Sequence, residues 1–171
     1  MTEAMDVNTA FYFANRDQKL ATLKEKPPGF HLEWHNGERS GFTALTRAAS
    51  NNDTDVLKIL IDENGNVEAR DNHDATPLMR AVGHGMLDSA RMLIDYGAIL
   101  DAQDKWGWTA LMWAAAYGKR ETLRLLLNRG ATATMKNNVG ETALILSTTE
   151  EIQADIRAKL EPKREDKKGG R

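Results

Sequence analysis

The amino-acid sequence predicts an all-α solenoid of stacked helix pairs joined by short β-hairpin fingers, and three observations carry that prediction. One motif returns at a fixed interval of 33 residues: Gly41-Phe42-Thr43-Ala44-Leu45, Asp74-Ala75-Thr76-Pro77-Leu78, Gly107-Trp108-Thr109-Ala110-Leu111 and Gly140-Glu141-Thr142-Ala143-Leu144. The register extends beyond the motif, with Ala48, Ala81, Ala114 and Ser147 in one column and Leu60, Leu93, Leu126 and Lys159 in another. Each interval also holds start and stop signals for two helices. A fixed period of this length is the signature of a repeat architecture.

The first element, residues 1–35, reads as a cap with a first finger strand. Tyr12-Phe13-Ala14-Asn15-Arg16-Asp17 with Leu20 and Leu23 suits a shortened helix pair with one polar outer face, and Pro27-Pro28-Gly29 stops it. Phe30-His31-Leu32-Glu33-Trp34-His35-Asn36-Gly37 then alternates at period two and reaches an Asn-Gly turn, as an extended finger should.

Residues 36–160 divide into units at 38–70, 71–103, 104–136 and 137–160. In each complete unit, helix A starts at the threonine, whose hydroxyl can cap it; Thr76 is followed by Pro77 at the first helical position. Gly85 and Gly118 supply the positive backbone angle that ends helix A, and Gly97 and Gly130 do the same for helix B. Asn52 and Asn64 stand at these places in the first unit, and asparagine tolerates the left-handed region next best. Helix B shows helical apolar spacing at Leu123, Leu126 and Leu127. Such a unit loses roughly 50 kcal/mol of conformational entropy, so it needs on the order of 2000 Å² of apolar burial, which only stacked neighbours can supply. Small residues such as Ala48, Ala81 and Ala114 permit that stacking.

Glu150 to Leu160 reads as a last helix B with Ile152, Ile156 and Leu160 inward and Asp155, Arg157 and Lys159 outward. Residues 161–171 carry too little apolar area to fold and are expected to be a disordered charged tail.

With 41% hydrophobic and 28% charged residues the chain is globular, and a formal net charge of -2 gives no broad attraction to nucleic acid or an anionic membrane. No apolar run reaches the ~18 residues a membrane span needs. The absence of cysteine excludes disulfides, thiolate nucleophiles and cysteine-ligated zinc, and it permits a cytoplasmic or nuclear location.

These motifs resemble the ankyrin-repeat family, whose T-P-L-H-x-A-A and L-L-x-x-G-A signatures appear as Thr76-Pro77-Leu78-Met79-Arg80-Ala81-Val82 and Leu126-Leu127-Asn128-Arg129-Gly130-Ala131. The resemblance covers about residues 36 to 160. It departs at the histidine, replaced by Thr46, Met79, Met112 and Ile145, where apolar packing is expected instead of a hydrogen bond.

The resemblance implies a protein-binding module, an adaptor or scaffold, with partners along the finger tips and the inner face of helix A. Carried over by position, that surface holds Arg39, Ser40, Phe42, Arg47 and Asn51, then Asn72, His73, Ala75, Arg80 and His84. The third unit contributes Lys105, Trp106, Trp108, Trp113 and Tyr117, and the fourth Asn138, Val139, Glu141 and Leu146. Tryptophan, tyrosine and arginine dominate binding hot spots. The expected partner is a protein or peptide with its apolar anchor near Trp106, Trp108 and Tyr117 and its acids near Arg47 and Arg80; the bland alternative has the tryptophans packing against their own fingers and the arginines on a solvated face. A free adaptor should be a monomer, whereas a permanent structural or inhibitory subunit should expose more apolar surface.

Gly107-Trp108-Thr109-Ala110-Leu111-Met112-Trp113-Ala114-Ala115 is also similar to the unit in histone lysine methyltransferase ankyrin modules that reads methylated lysine. That cage would need an aromatic at Leu146 and an acid at Ala116, and this sequence has neither. His31, Glu33 and His35 share a strand face, yet such a trio suits a polar finger edge better than a metal site. No Ser-His-Asp arrangement appears, and Gly83-His84-Gly85 lacks the context of a phosphate loop, so neither catalysis nor a cofactor is expected.

Overall fold

The computed structural model describes residues 14, 16–25 and 41–161. Arg39, the first finger with His31, Glu33 and His35, most of the cap and the charged tail lie outside the described residues. The described residues form nine helices: α1 (Arg16–Glu25), then the pairs α2 (Ala44–Ser50) and α3 (Thr54–Asp62), α4 (Pro77–His84) and α5 (Leu87–Asp95), α6 (Ala110–Ala116) and α7 (Arg120–Arg129), and α8 (Ala143–Leu146) and α9 (Glu150–Leu160).

The start signals act as local chemistry dictates. Thr43, Thr76 and Thr109 accept hydrogen bonds from the backbone N–H groups of Thr46, Met79 and Met112 at 3.1, 3.3 and 3.4 Å. The stop signals hold as well: Gly85 has φ +79°, and the two asparagines that replace glycine, Asn52 and Asn64, adopt φ +59° and +66°. Met79 and Met112 are buried, as the missing histidine implied, but hydrogen bonding survives at two of these places. Thr76 N–H donates to Met79 Sδ at 3.4 Å, and Thr46 Oγ1 donates to the Thr43 carbonyl at 2.9 Å.

The pairs stack in one direction. Helices A contact in the order α2, α4, α6, α8, and helices B in the order α3, α5, α7, α9, with α1 against α3. The core is one seam of side chains between these rows, including Leu57, Leu78, Leu93, Leu111, Leu126 and Ile156.

Two expectations fail at the far end. Ile145 is 64% exposed and Leu160 43%, although Met112 and Leu127, one unit earlier, are 1% and 4% exposed. Both stand where each earlier unit is covered by its successor. Helix α8 is also only four residues long, and its Thr142 makes no side-chain cap. The place of Gly118 one unit on is Glu151, inside α9, so helix A must stop sooner. Ser147 turns to ψ 135°, with its hydroxyl donating to the Leu144 carbonyl at 2.6 Å, and Thr149 caps α9.

The fingers are tight turns, and no strand pair forms among the described residues. Each closes with two backbone bonds: from Asp71 N–H to the Ala75 carbonyl, Asp104 to Trp108, and Asn137 to Glu141, at 3.2, 3.0 and 2.9 Å, and from the N–H of Asp74, Gly107 and Gly140 to the carbonyls of Asp71, Asp104 and Asn137, each at 2.9 Å. The inward N–H groups of each turn bond to a side-chain oxygen, so they are not left for a strand ladder. Successive fingers are joined by Lys105 N–H to the His73 carbonyl at 3.1 Å and Asn138 N–H to the Trp106 carbonyl at 3.0 Å.

Asp155, expected outward, joins α9 to α7 by accepting from Arg120 Nε at 2.7 Å and Arg124 Nη2 at 2.8 Å. These guanidinium groups pull its carboxyl down from 3.8 to about 2. Because the folded value lies below the unfolded one, this stabilisation is complete above about pH 4 and is lost as pH falls toward 2. Both arginines are more than a third exposed, so solvent screening keeps this contribution small. Urea melts at pH 7 and pH 2.5 should therefore show Asp155→Asn less stable than wild type at neutrality, with the gap narrowing in acid. An equal gap at both pH values would contradict this assignment.

Candidate functional site

The site is built on one finger position, 71, 104 and 137, which sequence reasoning passed over. Its side-chain oxygen accepts the N–H groups two and four residues on: Asp71 Oδ1 from His73 and Ala75, Asp104 Oδ1 from Trp106 and Trp108, and Asn137 Oδ1 from Val139 and Glu141, all between 2.7 and 3.1 Å. This clamp fixes the finger tips. The second oxygen reaches the helix A residue nine places on, so Asp71 Oδ2 accepts from Arg80 Nε at 2.7 Å and Asp104 Oδ2 from Trp113 Nε1 at 2.9 Å. In the fourth unit that residue is Leu146, which offers no donor, and Asn137 Nδ2 donates instead to Glu141 Oε2 at 2.9 Å. The clue in the sequence was the same 33-residue register that marked the helices.

Arg80 lies between two rings, with its guanidinium carbon 4.8 Å from the centre of Phe42 and 5.0 Å from that of Trp113. With an 11% exposed side chain paired to a fully buried Asp71 side chain, it belongs more to the wall than to a solvated ladder. Arg47 is the next layer, 5.8 Å from Phe42. Trp113 is also largely buried, its ring 5.5 Å from Tyr117, and its Cε3 atom lies 2.7 Å from where a Cβ on Gly83 would stand. Only glycine at 83 leaves room for this indole.

A second group forms at the finger tips. Trp106 stacks on His73 at 5.3 Å, and Lys105 Nζ sits 4.4 Å from the Trp106 centre while donating to His73 Nδ1 at 2.6 Å. Between the groups opens a cavity of about 580 Å³, walled by Trp106, Trp108, Trp113 and Tyr117 and reaching from Arg80 in the second unit to Val139 and Glu141 in the fourth. Trp106, Tyr117 and Val139 remain 47%, 56% and 78% exposed at its mouth.

The structure thus gathers His73, Arg80, Trp106, Trp108, Trp113 and Tyr117 around one space, with Lys105 at the edge and Phe42 and Arg47 behind Arg80. His84 does not line it; its ring nitrogen bonds to the Arg80 carbonyl at 2.8 Å. Leu146 and Ala116 are half-buried and bring neither ring nor acid. Among the described residues no group of three or more His, Asp or Glu could hold a metal ion, and no helix is long and apolar enough to cross a membrane.

Compared with known proteins, the chain is matched by the model of a family described as ankyrin repeats (3 copies), over residues 14–104 and 97–158. No curated protein matches it.

Proposed function

The chain belongs to the ankyrin-repeat family, whose repeats are generally protein–protein interaction modules, and from this premise we propose that it is an adaptor holding a partner protein segment on its concave face. The observation that carries the reading is the cavity of about 580 Å³, whose rings are fixed from behind yet open in front. Asp104 holds the backbone of Trp106 and Trp108 and the indole of Trp113 together, so the aromatic wall loses little further freedom when a partner arrives. A bulky apolar side chain of the partner occupies this space. Acidic residues of the same segment lie toward Arg47 and toward the N–H donors of Arg80 that Asp71 leaves over.

The test compares wild type with Trp106→Ala/Tyr117→Ala, both exposed residues whose loss leaves the core intact. A partner segment recovered on wild type and then titrated by calorimetry should bind the double variant at least about 30-fold more weakly, as expected for two hot-spot rings. Unfolding free energies should agree within about 0.5 kcal/mol. Unchanged affinity in a variant of normal stability would remove the cavity from the binding role.

A further inference from the structure

Glu141 is a half-buried carboxylate in the wall of the cavity, and none of the ion pairs among the described residues includes it. Its Oε2 accepts from the Asn137 side-chain amide, a neutral donor, at 2.9 Å. The other carboxylate in the wall, Asp104, already accepts from three internal donors. The rings are unequal too. Arg80 covers Trp113 and Lys105 covers Trp106, but none of the cation–π contacts among the described residues uses Trp108. Trp108 and Glu141 hold the same finger place in successive units, 33 residues apart. A positive group entering between them would meet a ring that has no cation, and a carboxylate that has no counter-ion, among the described residues, the two partners a desolvated cation needs.

We infer that the partner places a lysine or arginine side chain against Glu141 and Trp108. This deepens the adaptor reading and rests on it, and it gives the bound segment a direction: acid toward the second unit, apolar anchor at the centre, base toward the fourth. Adjacent packed helices lie about 8–10 Å apart, so two steps span roughly 16–20 Å, or about five or six extended residues between acid and base.

The probes are fluorescein-labelled synthetic peptides with aspartate, a central leucine, and lysine five residues after the aspartate, joined by glycine and serine. In parallel peptides the lysine becomes norleucine or glutamate, or the leucine becomes glycine. Anisotropy titrations on wild type should show the lysine peptide binding about 5–10-fold tighter than the norleucine peptide, a difference that shrinks as salt rises. In Glu141→Gln, which keeps an acceptor for Asn137, the difference should vanish, and Glu141→Lys should prefer the glutamate peptide. Equal binding of lysine and norleucine peptides to wild type, or a lysine preference that survives in Glu141→Gln, overturns the inference. If leucine is still required in that case, the adaptor reading stands; if no peptide saturates up to millimolar concentration, both fail.

Discussion

Replacing Asp104 with alanine should cost about 3–4 kcal/mol of stability, because it strands the N–H groups of Trp106 and Trp108 and the indole N–H of Trp113. Asp104 is only 6% exposed, so water replaces little of what is lost. Asparagine should do less harm. The fourth finger already uses Asn137 to accept two backbone N–H groups at 3.1 and 2.8 Å. Asp104→Asn would keep that half of the clamp and lose the indole bond, where its amide would face another donor; about 1–2 kcal/mol is expected. Urea denaturation of the three proteins checks the order. An alanine variant within 0.5 kcal/mol of wild type would show that the carboxylate does not organise the aromatic wall.

The next largest effect is expected at Gly107. Its φ is +77°, and an added Cβ would stand 2.5 Å from Asn138 Oδ1 and 2.8 Å from Asn138 N, on the neighbouring finger. Asn138 cannot retreat freely, because its N–H bonds the Trp106 carbonyl and its amide donates to the Lys105 carbonyl at 3.1 Å. Gly140 holds the same place one unit on, at φ +84°, with nothing within 4 Å of its Cβ position. Gly140→Ala therefore meets only backbone strain of about 1–2 kcal/mol, whereas Gly107→Ala adds a backbone clash and should reach about 3–4 kcal/mol. Asp74, at φ +58°, shows that the place itself accepts a side chain. If denaturation gives equal losses for the two alanine variants, the close approach of the fingers is not what requires glycine at 107.

Helix positions were legible because their causes are local. Thr76 with Pro77 and the left-handed residues Asn52, Gly85 and Gly130 act within a turn of where they stand. What depended on neighbours was harder to read. Helical spacing put Leu160 inward, but it does not reveal whether another unit covers that side, and Leu160 is 43% exposed. The shortness of α8 had a signal in the Glu151 that stands where a glycine should. For the site, the resemblance to ankyrin repeats named the aromatic positions, Arg80 and Trp113, and left open whether the tryptophans pack inward and the arginines lie on a solvated face. The sandwich of Phe42, Arg80 and Trp113 draws on three units, whereas the carboxylates behind it stand only nine residues before the groups they hold. Asp71 and Arg80 share one repeat, but a spacing of nine residues across a turn and a helix start is not a local signal for a salt pair.

The one-way stacking of the helix rows has a mechanical consequence. Since each pair leans only on the pairs beside it, tension along the stack is carried in series, and small tilts at every junction add up to an elastic extension. Under greater load, detachment would begin at a terminus and proceed pair by pair. Each release of a 33-residue unit would pay out roughly 110 Å of slack, at about 3.3 Å per residue. A tethered partner would thus feel a soft link before it felt a broken one.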